Sequence, residues 1–427
     1  MIDFAPALIM LGLLAANARV AFAIAIAALW FFLTAKGVPI EVYIQRMVSV
    51  THSFPLLAVP FFILAGVLMN HAGITSRLMR LADTLVGHMT GGLAQVNVLL
   101  STLMGGMSGS ANADAAVQSK ILVPEMTKRG YLPAFSAAIT ASSAVIAPII
   151  PPGIGMVLFG FLADVSIGRL FLAGIVPGFL MCLALMVVVH LVSKRRGYLP
   201  ARDTSATWGE RGLAIKESLW ALGLPVVIIS GIRFGFFTPT EAGAIAVLYA
   251  LIVGFFVYRE LKITAIPAVL AEAVLATSVI MLIICAAQSF GFYMSWERVP
   301  QRAGAILLSI TENPLLLLLL INIFLIFIGM LLEGTAALIL LTPLLAPLAK
   351  SVGIDPVHFG IVMVVNLTIA GVTPPVGTLI YTTTGIVGVR VDEFIRESLP
   401  MLAALYLVLL LVTLVPAISL TLPNLLM

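Results

Sequence analysis

Long apolar stretches recur through this chain, and they are continuous rather than alternating. They fall at 20–33, 54–69, 171–192, 241–258, 314–332 and 399–415. Most are near the length of about 17 residues or more that a helix needs to cross roughly 30 Å of hydrocarbon. Strands of a transmembrane barrel would alternate polar and apolar residues, so a barrel is excluded. The pattern predicts an all-α polytopic membrane protein. The N-terminal stretch MIDFAPALIMLGLLAANARV lacks the basic flank of a cleavable signal peptide and reads as a first membrane helix interrupted near Asn17 and Arg19. Segments 41–52 and 74–88 mix apolar residues with Arg46, Arg77, Arg80 and Asp83, as interfacial amphipathic helices do.

The apolar pattern is interrupted in a way that repeats. Sliding the sequence by 223 residues lays 105–177 on 328–400 without a gap, and five of the six prolines in each window then coincide. Random placement would give about 0.5 coincidences, so the unit is duplicated. Pro151-Pro152 falls on Pro374-Pro375, Pro124 on Pro347, Pro133 on Pro356 and Pro177 on Pro400. Each copy runs from an apolar segment through a Gly-rich break into a second apolar segment, then through a short connector into a helix broken at Pro-Pro. The breaks read SGSANAD and IIPPGIG in the first copy, LEGTA and VTPPVGT in the second.

Paired broken helices in corresponding halves point to the binding site of a secondary transporter. Irregular backbone at membrane depth must be buried in protein or line a wet cavity. A helix stopping there presents carbonyls at its C-terminal end and N–H groups at the next N-terminus, the first suited to a hard cation and the second to a carboxylate. The connector after the first break carries Lys128 and Arg129, whereas the equivalent one has Lys350 and Asp355. That bias predicts inverted repeats whose re-entrant hairpins enter from opposite sides, in an elevator-type, ion-transporter-like architecture.

The expected organisation is as follows. Residues 1–90 form scaffold helices and an interfacial arm, and 91–193 the first transport repeat, with its hairpin at about 91–124 and broken helix at about 133–165. A cytoplasmic linker spans 194–217, and further scaffold helices 218–311. The second transport repeat spans 312–400, with its hairpin at about 314–350 and broken helix at about 356–388. A last helix occupies 401–427.

Composition sharpens this picture. Hydrophobic residues make up 61% of the chain and charged ones 10%, against roughly 25% charged in soluble domains, and mean hydropathy is +1.16. The net charge of +4 is not gathered on a soluble face, so nucleic acid is not an expected partner. Lys194, Arg195, Arg196, Arg202, Arg211 and Lys216 cluster after a long apolar run and mark a cytoplasmic loop. Cys182 and Cys285 lie inside apolar spans, which argues against a disulfide framework or zinc site. His52, His71, His88, His190 and His358 lack metal-ligand spacing.

Among single residues, Ser108 and Ser110 with the carbonyls before Pro151 predict one cation site, and Glu333, Thr335 and Thr373 its symmetry partner. Asp114 and Glu333 are intramembrane carboxylates, which are expensive and usually face a cavity. Asn366 aligns with Ser143, and both are expected to hydrogen-bond a neighbouring helix. Arg298, in SWERVP, fits either an interfacial anchor or a substrate-carboxylate partner. Arg233 lies at a turn, with Glu241 as a helix-start partner.

These motifs also carry a resemblance. GGMSGSANADAA, GIRFGFFTPTEAGA, GMLLEGTAALILLTP and GVTPPVGTLIY, in that order, resemble the large membrane subunit (M, DctM-like) of tripartite ATP-independent periplasmic (TRAP) transporters, along essentially the whole chain. The resemblance implies a multi-pass protein of the bacterial inner membrane, not an enzyme. It implies import of an organic acid anion (C4-dicarboxylate, keto acid or sialic acid class) by Na⁺ symport and an elevator mechanism. The implied partners are a separate small four-helix membrane subunit, a periplasmic substrate-binding protein and the lipid bilayer, with Na⁺ as coupling ion and no other cofactor. By motif match one Na⁺ would sit with Ser108, Ser110, Ala147, Ile150 and Pro152, the second with Met330, Glu333, Thr373 and Pro375. Asn112, Asp114, Arg298, Gly153 and Gly377 would lie near the substrate. Three other readings compete: a stand-alone Na⁺/organic-anion symporter, a passive channel, and an intramembrane serine protease using the Gly-x-Ser-Gly at Ser108, which would need a histidine nearby.

Overall fold

The computed structural model describes residues 4–302, 305, 311 and 313–427, so the expected junction at 311–312 falls partly outside the described residues. Among the described residues, eight helices are long and apolar enough to cross a membrane. Large apolar side chains such as Leu183, Val187, Val274 and Val279 stand exposed along them, as do Phe22 and Trp30 on a shorter apolar helix. Exposed apolar surface on that scale suits lipid, not water.

The first half opens with α1 (Ala5–Ala15) and α2 (Val20–Thr34), separated by a break in which Asn17 takes φ +63°. The two expected interfacial segments are helices α3 (Glu41–Ser49) and α5 (Ile74–Val86), flanking α4 (Ala58–His71). No residue of α3 is buried, whereas α5 buries Ile74, Leu78, Leu81 and Val86 on one face. Arg77 pairs with Glu260 at 2.6 Å and stacks over Tyr258, and Arg80 pairs with Glu217 at 2.7 Å. These contacts tie α5 to the second half of the chain.

The duplicated unit follows. The first copy is α6 (Gly92–Ser108), α7 (Ala111–Lys128), α8 (Pro133–Ala144), α9 (Ile154–Leu162) and α10 (Ile167–Arg196). Then come α11 (Trp208–Arg233), α12 (Pro239–Ile252) and α13 (Ile266–Trp296). The second copy is α14 (Pro314–Leu331), α15 (Gly334–Ser351), α16 (Pro356–Ala370), α17 (Thr378–Val387) and α18 (Val391–Leu414), and α19 (Ala417–Leu426) ends the chain. Shifted by 223 residues, α7 lands on α15 with the same bounds at both ends. Thus α6–α7 and α14–α15 are the re-entrant hairpins, and α8–α9 and α16–α17 the broken helices.

Local chemistry sets these boundaries. Ser110 caps α7 by accepting from the Ala113 N–H, and Glu333 caps α15 by accepting from Ala336. Asp355 caps α16, with Pro356 at its first position, through the N–H groups of Val357 and His358. Thr238 and Glu241 form a capping box at α12, so Glu241 does start a helix. Arg233 points elsewhere, donating to the Leu426 carbonyl at 3.0 Å.

The two copies are inverted. The counterparts α10 and α18 pack side by side and run antiparallel. Arg196, at the C-terminal end of α10, pairs with Glu397 near the start of α18 at 2.6 Å. At the other end Arg169, near the start of α10, donates to Asn424 beyond α18 at 2.7 Å. The duplication also reaches past the window read from the prolines. The same shift relates α2 to the end of α12 and α4 to the end of α13, and the packed pairs are α4 with α12 and α2 with α13. A two-fold operation exchanges one pair for the other.

The ends of the first hairpin meet the loop after α10. Arg129 donates to the Ala201 carbonyl, Tyr131 to the Leu199 carbonyl, and the Ala201 N–H to Gly87. Tyr131 stacks on Tyr198 with ring centroids 4.3 Å apart, and burial pushes its phenol up to about 12. This end gathers Lys128, Arg129, Lys194, Arg195, Arg196 and Arg202, so the basic clusters expected from sequence to share one side do lie together.

Candidate functional site

Each hairpin tip is held against a broken helix by close backbone approach. A Cβ added at Gly105 would lie 2.8 Å from Ile150 Cβ and 3.1 Å from the Ala147 carbonyl oxygen, and one at Gly109 (φ +56°) 2.7 Å from the Pro152 carbonyl oxygen. Only glycine permits both the left-handed backbone and the approach. The tip carrying Ser108 and Ser110 is therefore seated on the break carrying Ala147, Ile150 and Pro152. The Ser108 hydroxyl is buried without a hydrogen-bond partner, as is Asn112 Oδ1. Buried polar atoms are nearly always satisfied, and these two oxygens at the tip have no protein partner.

The second tip repeats the arrangement on different residues. A Cβ at Gly329 would meet Ala370 Cβ at 2.5 Å, and one at Gly334 the Leu367 carbonyl oxygen at 3.2 Å. Met330 lies one turn before the cap, Glu333. One Glu333 oxygen accepts from Thr335 Oγ1 at 2.8 Å and the other from the Ala336 N–H at 3.0 Å. The Thr373 hydroxyl donates to the Ile369 carbonyl at 2.8 Å and sits 2.7 Å from the Tyr406 hydroxyl. Both Pro-Pro bonds, 151–152 and 374–375, are cis. The first break is buried through Gly153, whereas Pro375 and Val376 in the second are exposed.

All four breaks meet at one cavity of ≈ 110 Å³. It is lined by Gly109–Asn112 from the first tip and Glu333–Thr335 from the second. Pro148, Ile154 and Gly155 come from the first break, and Gly371, Thr378 and Leu379 from the second. Leu338 of α15, Val364, Leu367 and Thr368 of α16 and Ile280 of α13 complete the wall. Four helices, α7, α9, α15 and α17, begin at this cavity, at Ala111, Ile154, Gly334 and Thr378. Their first N–H groups and the positive ends of their dipoles converge there. Among the described residues, Glu333 is the only charged side chain in the lining, and no Lys or Arg is part of it.

Of the residues singled out from sequence, Ser110, Asn112, Glu333 and Thr335 line the cavity directly. Ser108, Ala147, Gly153 and Gly377 adjoin it in the chain, Gly153 and Gly377 being the N-caps of α9 and α17. Asp114 and Arg298 are not brought to it. Asp114 is fully buried inside the first hairpin, 2.9 Å from Gln118 Nε2 through each oxygen. Arg298 follows the end of α13, exposed and with φ +54°. Thr368 and Ile280 are cavity residues that sequence reasoning missed. Thr368 is a polar residue shortly before a break, a signal that was there to use; Ile280 is one apolar residue in a 31-residue apolar helix and carries none.

The aligned pair Ser143 and Asn366 bonds the neighbouring helix in each copy. Ser143 donates to Asn97 Oδ1 at 2.7 Å, and Asn366 Nδ2 to Asn322 Oδ1 at 2.7 Å. No histidine hydrogen-bonds Ser108, whose hydroxyl has no partner: the buried His358 is engaged by Ser419 through Nδ1, 2.8 Å away, and His71 by Glu272. Among the described residues no group of three or more His, Cys, Asp or Glu could hold a metal ion, and Cys182 and Cys285 are free thiols.

Comparison with known proteins bears on this arrangement. The family model described as "Tripartite ATP-independent periplasmic transporter, DctM component" matches residues 7–418. The chain is 42% identical over 415 residues to the sialic acid TRAP transporter large permease protein SiaM of Vibrio cholerae, covering 97% of each. It is 38% identical to the C4-dicarboxylate TRAP transporter large permease protein DctM of Pseudomonas aeruginosa, covering 89% of this chain and 88% of that one. The isethionate TRAP transporter permease protein DctMQ of Oleidesulfovibrio alaskensis is 40% identical, over 93% of this chain and 63% of its own length. Among solved structures, MtrF of Neisseria gonorrhoeae superposes with a TM-score of 0.60 at 15% identity, over 90% of this chain and 83% of its own. The YdaH transporter of Alcanivorax borkumensis gives 0.59 at 14% identity, over 85% of each. At such identities these two speak for the fold alone.

Proposed function

Since the chain belongs to the DctM family of TRAP transporter large permeases, transport proteins rather than enzymes, we propose that it imports an organic acid anion by Na⁺ symport. The serine-protease reading falls with the family. The substrate class follows the relatives, whose names give sialic acid, C4-dicarboxylate and isethionate. Each is an acid, and isethionate carries a sulfonate.

The observation that supports this reading best is the cavity where four helix N-termini converge without a basic side chain. Helix N-termini supply N–H donors and partial positive charge to an anion. They leave an acidic substrate under-compensated, the more so beside Glu333. Bound Na⁺ supplies the missing charge, so anion and cation bind well only together, which is the energetic basis of symport. We assign the ions to the two tips. Ser108, Ser110 and carbonyls of Ala147, Ile150 and Pro152 hold one; Met330, Glu333, Thr373 and Pro375 surround the other. Hard cations take such oxygen sets. Asn112, Gly153 and Gly377 serve the substrate. Asp114 and Arg298 lie outside the cavity and are assigned no part in holding the substrate.

In this proposal residues 91–193 and 312–400 move as one transport domain against a scaffold of 1–90 and 218–311, linked by 194–217, with 401–427 as the terminal helix. Ion binding seats the tips on the breaks, the loaded domain slides, and low cytoplasmic Na⁺ releases the cargo. A small four-helix membrane subunit, supplied as a separate chain, extends the scaffold in the bacterial inner membrane. A periplasmic binding protein delivers the substrate.

The test is uptake of labelled organic acids into proteoliposomes holding this chain, its small subunit and its binding protein under an inward Na⁺ gradient. Uptake that needs both Na⁺ and the binding protein supports the reading. Uptake indifferent to the binding protein would make the chain a stand-alone symporter, and uncoupled flux would make it a channel.

A further inference from the structure

The first hairpin contains a polar cluster that the cavity does not use. Gln118 Nε2 stands 2.7 Å from Ser101 Oγ and 2.9 Å from each carboxylate oxygen of Asp114. Ser101 in turn donates to Ser143 Oγ at 3.0 Å. Asp114, Gln118 and Ser101 are all fully buried. An amide nitrogen carries two N–H groups, so three oxygens around it are more than it can satisfy. Every hydrogen-bond partner of the Asp114 side chain is neutral, and the carboxylate takes part in no ion pair. A buried carboxylate without a counter-charge is among the costliest arrangements in a protein. At membrane depth it is kept only for a purpose.

The second copy supplies the control. Asp114, Gln118 and Ser101 correspond there to Ala337, Leu341 and Phe324. The same hairpin is built from apolar residues at those positions, so its fold does not demand the polar trio. A second observation points to a ligand: Gln118 Oε1 is buried and has no partner. Turning the amide about its last bond exchanges that oxygen for the nitrogen. Drawn back from the position its nitrogen holds here, the turned amide leaves room for a cation among four oxygens, two from Asp114 and one each from Ser101 and Gln118, the kind of set a hard cation takes.

We propose that Asp114, Ser101 and Gln118 form a third Na⁺ site, whose centre is occupied here by the Gln118 amide nitrogen, and that its ion travels with the substrate. The inference rests on the symport reading above and extends it. It makes the charge moved per substrate unequal between the repeats, two cations in the first and one in the second.

The experiment is a reversal-potential measurement of Na⁺ per substrate, on the full complex in proteoliposomes, with ²²Na⁺ binding to the same purified complex. Asp114→Asn should lower the ratio by one ion while leaving substrate-dependent transport. The double variant Asp114→Ala with Gln118→Leu borrows the residues with which the second hairpin folds and should do the same. Ser101→Ala should raise the Na⁺ concentration for half-maximal binding at this site by roughly tenfold. A wild-type ratio in folded Asp114→Asn and in the double variant would overturn the third site alone. So would a ratio that follows the proton gradient in place of Na⁺. A wild-type protein with no Na⁺ requirement would overturn the symport reading together with it.

Discussion

A Cβ on Gly153 would stand 1.9 Å from the carbonyl oxygen of Pro148, closer than any side chain can come. The second break repeats the relationship one residue later: a Cβ on Gly377 would lie 2.4 Å from the carbonyl oxygen of Gly371, the counterpart of Pro148. Both glycines cap the helix that resumes after Pro-Pro, and both let the chain fold back onto the carbonyl that ends the preceding half. The broken helices thus depend on two absent side chains.

Replacing either glycine should therefore damage the site more than the fold. Gly153→Ala and Gly377→Ala displace the resumed helix from the cavity, and uptake should fall at least about tenfold, as small misplacements near a reacting or binding centre commonly cost. Gly385, within α17, has open space where a Cβ would go. Gly385→Ala should keep transport and add up to about 1 kcal/mol of helix stability. Initial uptake rates with thermal unfolding of the purified protein check both, and equal loss in all three variants would sink the argument.

The Ser108 hydroxyl makes no hydrogen bond in this structure. Ser108→Ala thus removes a candidate ion ligand without breaking a protein contact, and the buried polar atom it deletes costs something to keep. The variant should be as thermally stable as the parent in the absence of Na⁺, while half-saturation by Na⁺ shifts up by roughly tenfold or more. Unfolding curves recorded across a Na⁺ titration report both quantities. A drop in Na⁺-free stability with an unchanged Na⁺ response would mark Ser108 as structural.

Much of this was legible in the sequence because the signals are local. Pro-Pro, Gly-rich tips and Ser, Glu or Asp caps act within one turn of themselves, so the hairpins and breaks could be placed from residues alone. The expected cation residues at the first tip gather because they flank those punctuating positions. Asp114 shows where this stops. It lies one helical turn past the Ser110 cap, and which way that turn faces depends on how α7 packs against α6, where Ser101 waits. Arg298 is the same case at a helix end, and Ile280 enters the cavity only through the docking of α13. The antiparallel pairing of α10 with α18 likewise rests on long-range partners, Arg196 with Glu397 and Arg169 with Asn424.

The buried pair Asn322 and Asn366 offers a test of packing apart from function. Asn366 Nδ2 donates to Asn322 Oδ1 at 2.7 Å, and Asn322 Nδ2 to Thr413 Oγ1 at 2.9 Å. Asn322→Leu removes this bond while the Asn366 amide keeps its second acceptor, the Asn322 backbone carbonyl at 3.0 Å, and should cost about 1 kcal/mol. The double variant Asn322→Leu with Asn366→Leu removes both buried amides, so it should cost less than the sum of the single changes. A double-mutant cycle read by unfolding in detergent decides, and strict additivity would mean the contact contributes nothing.

Inversion itself can be read from outside the molecule. Lys128 and Lys350 are close counterparts in the duplicated unit, each in the last turn of its hairpin's second arm, and both are exposed. If the repeats are inverted, they stand on opposite faces of the membrane, with Lys128 among the basic residues of the cytoplasmic end. With Cys182 and Cys285 replaced by serine, Lys350→Cys should react with a membrane-impermeant maleimide added to intact cells from the periplasmic side. Lys128→Cys should react only after the inner membrane is permeabilised. Labelling of both from the same side would require the copies to be parallel. The antiparallel contact of α10 and α18 through Arg196 and Glu397 could then not form, because counterparts in parallel copies cross the membrane in the same direction.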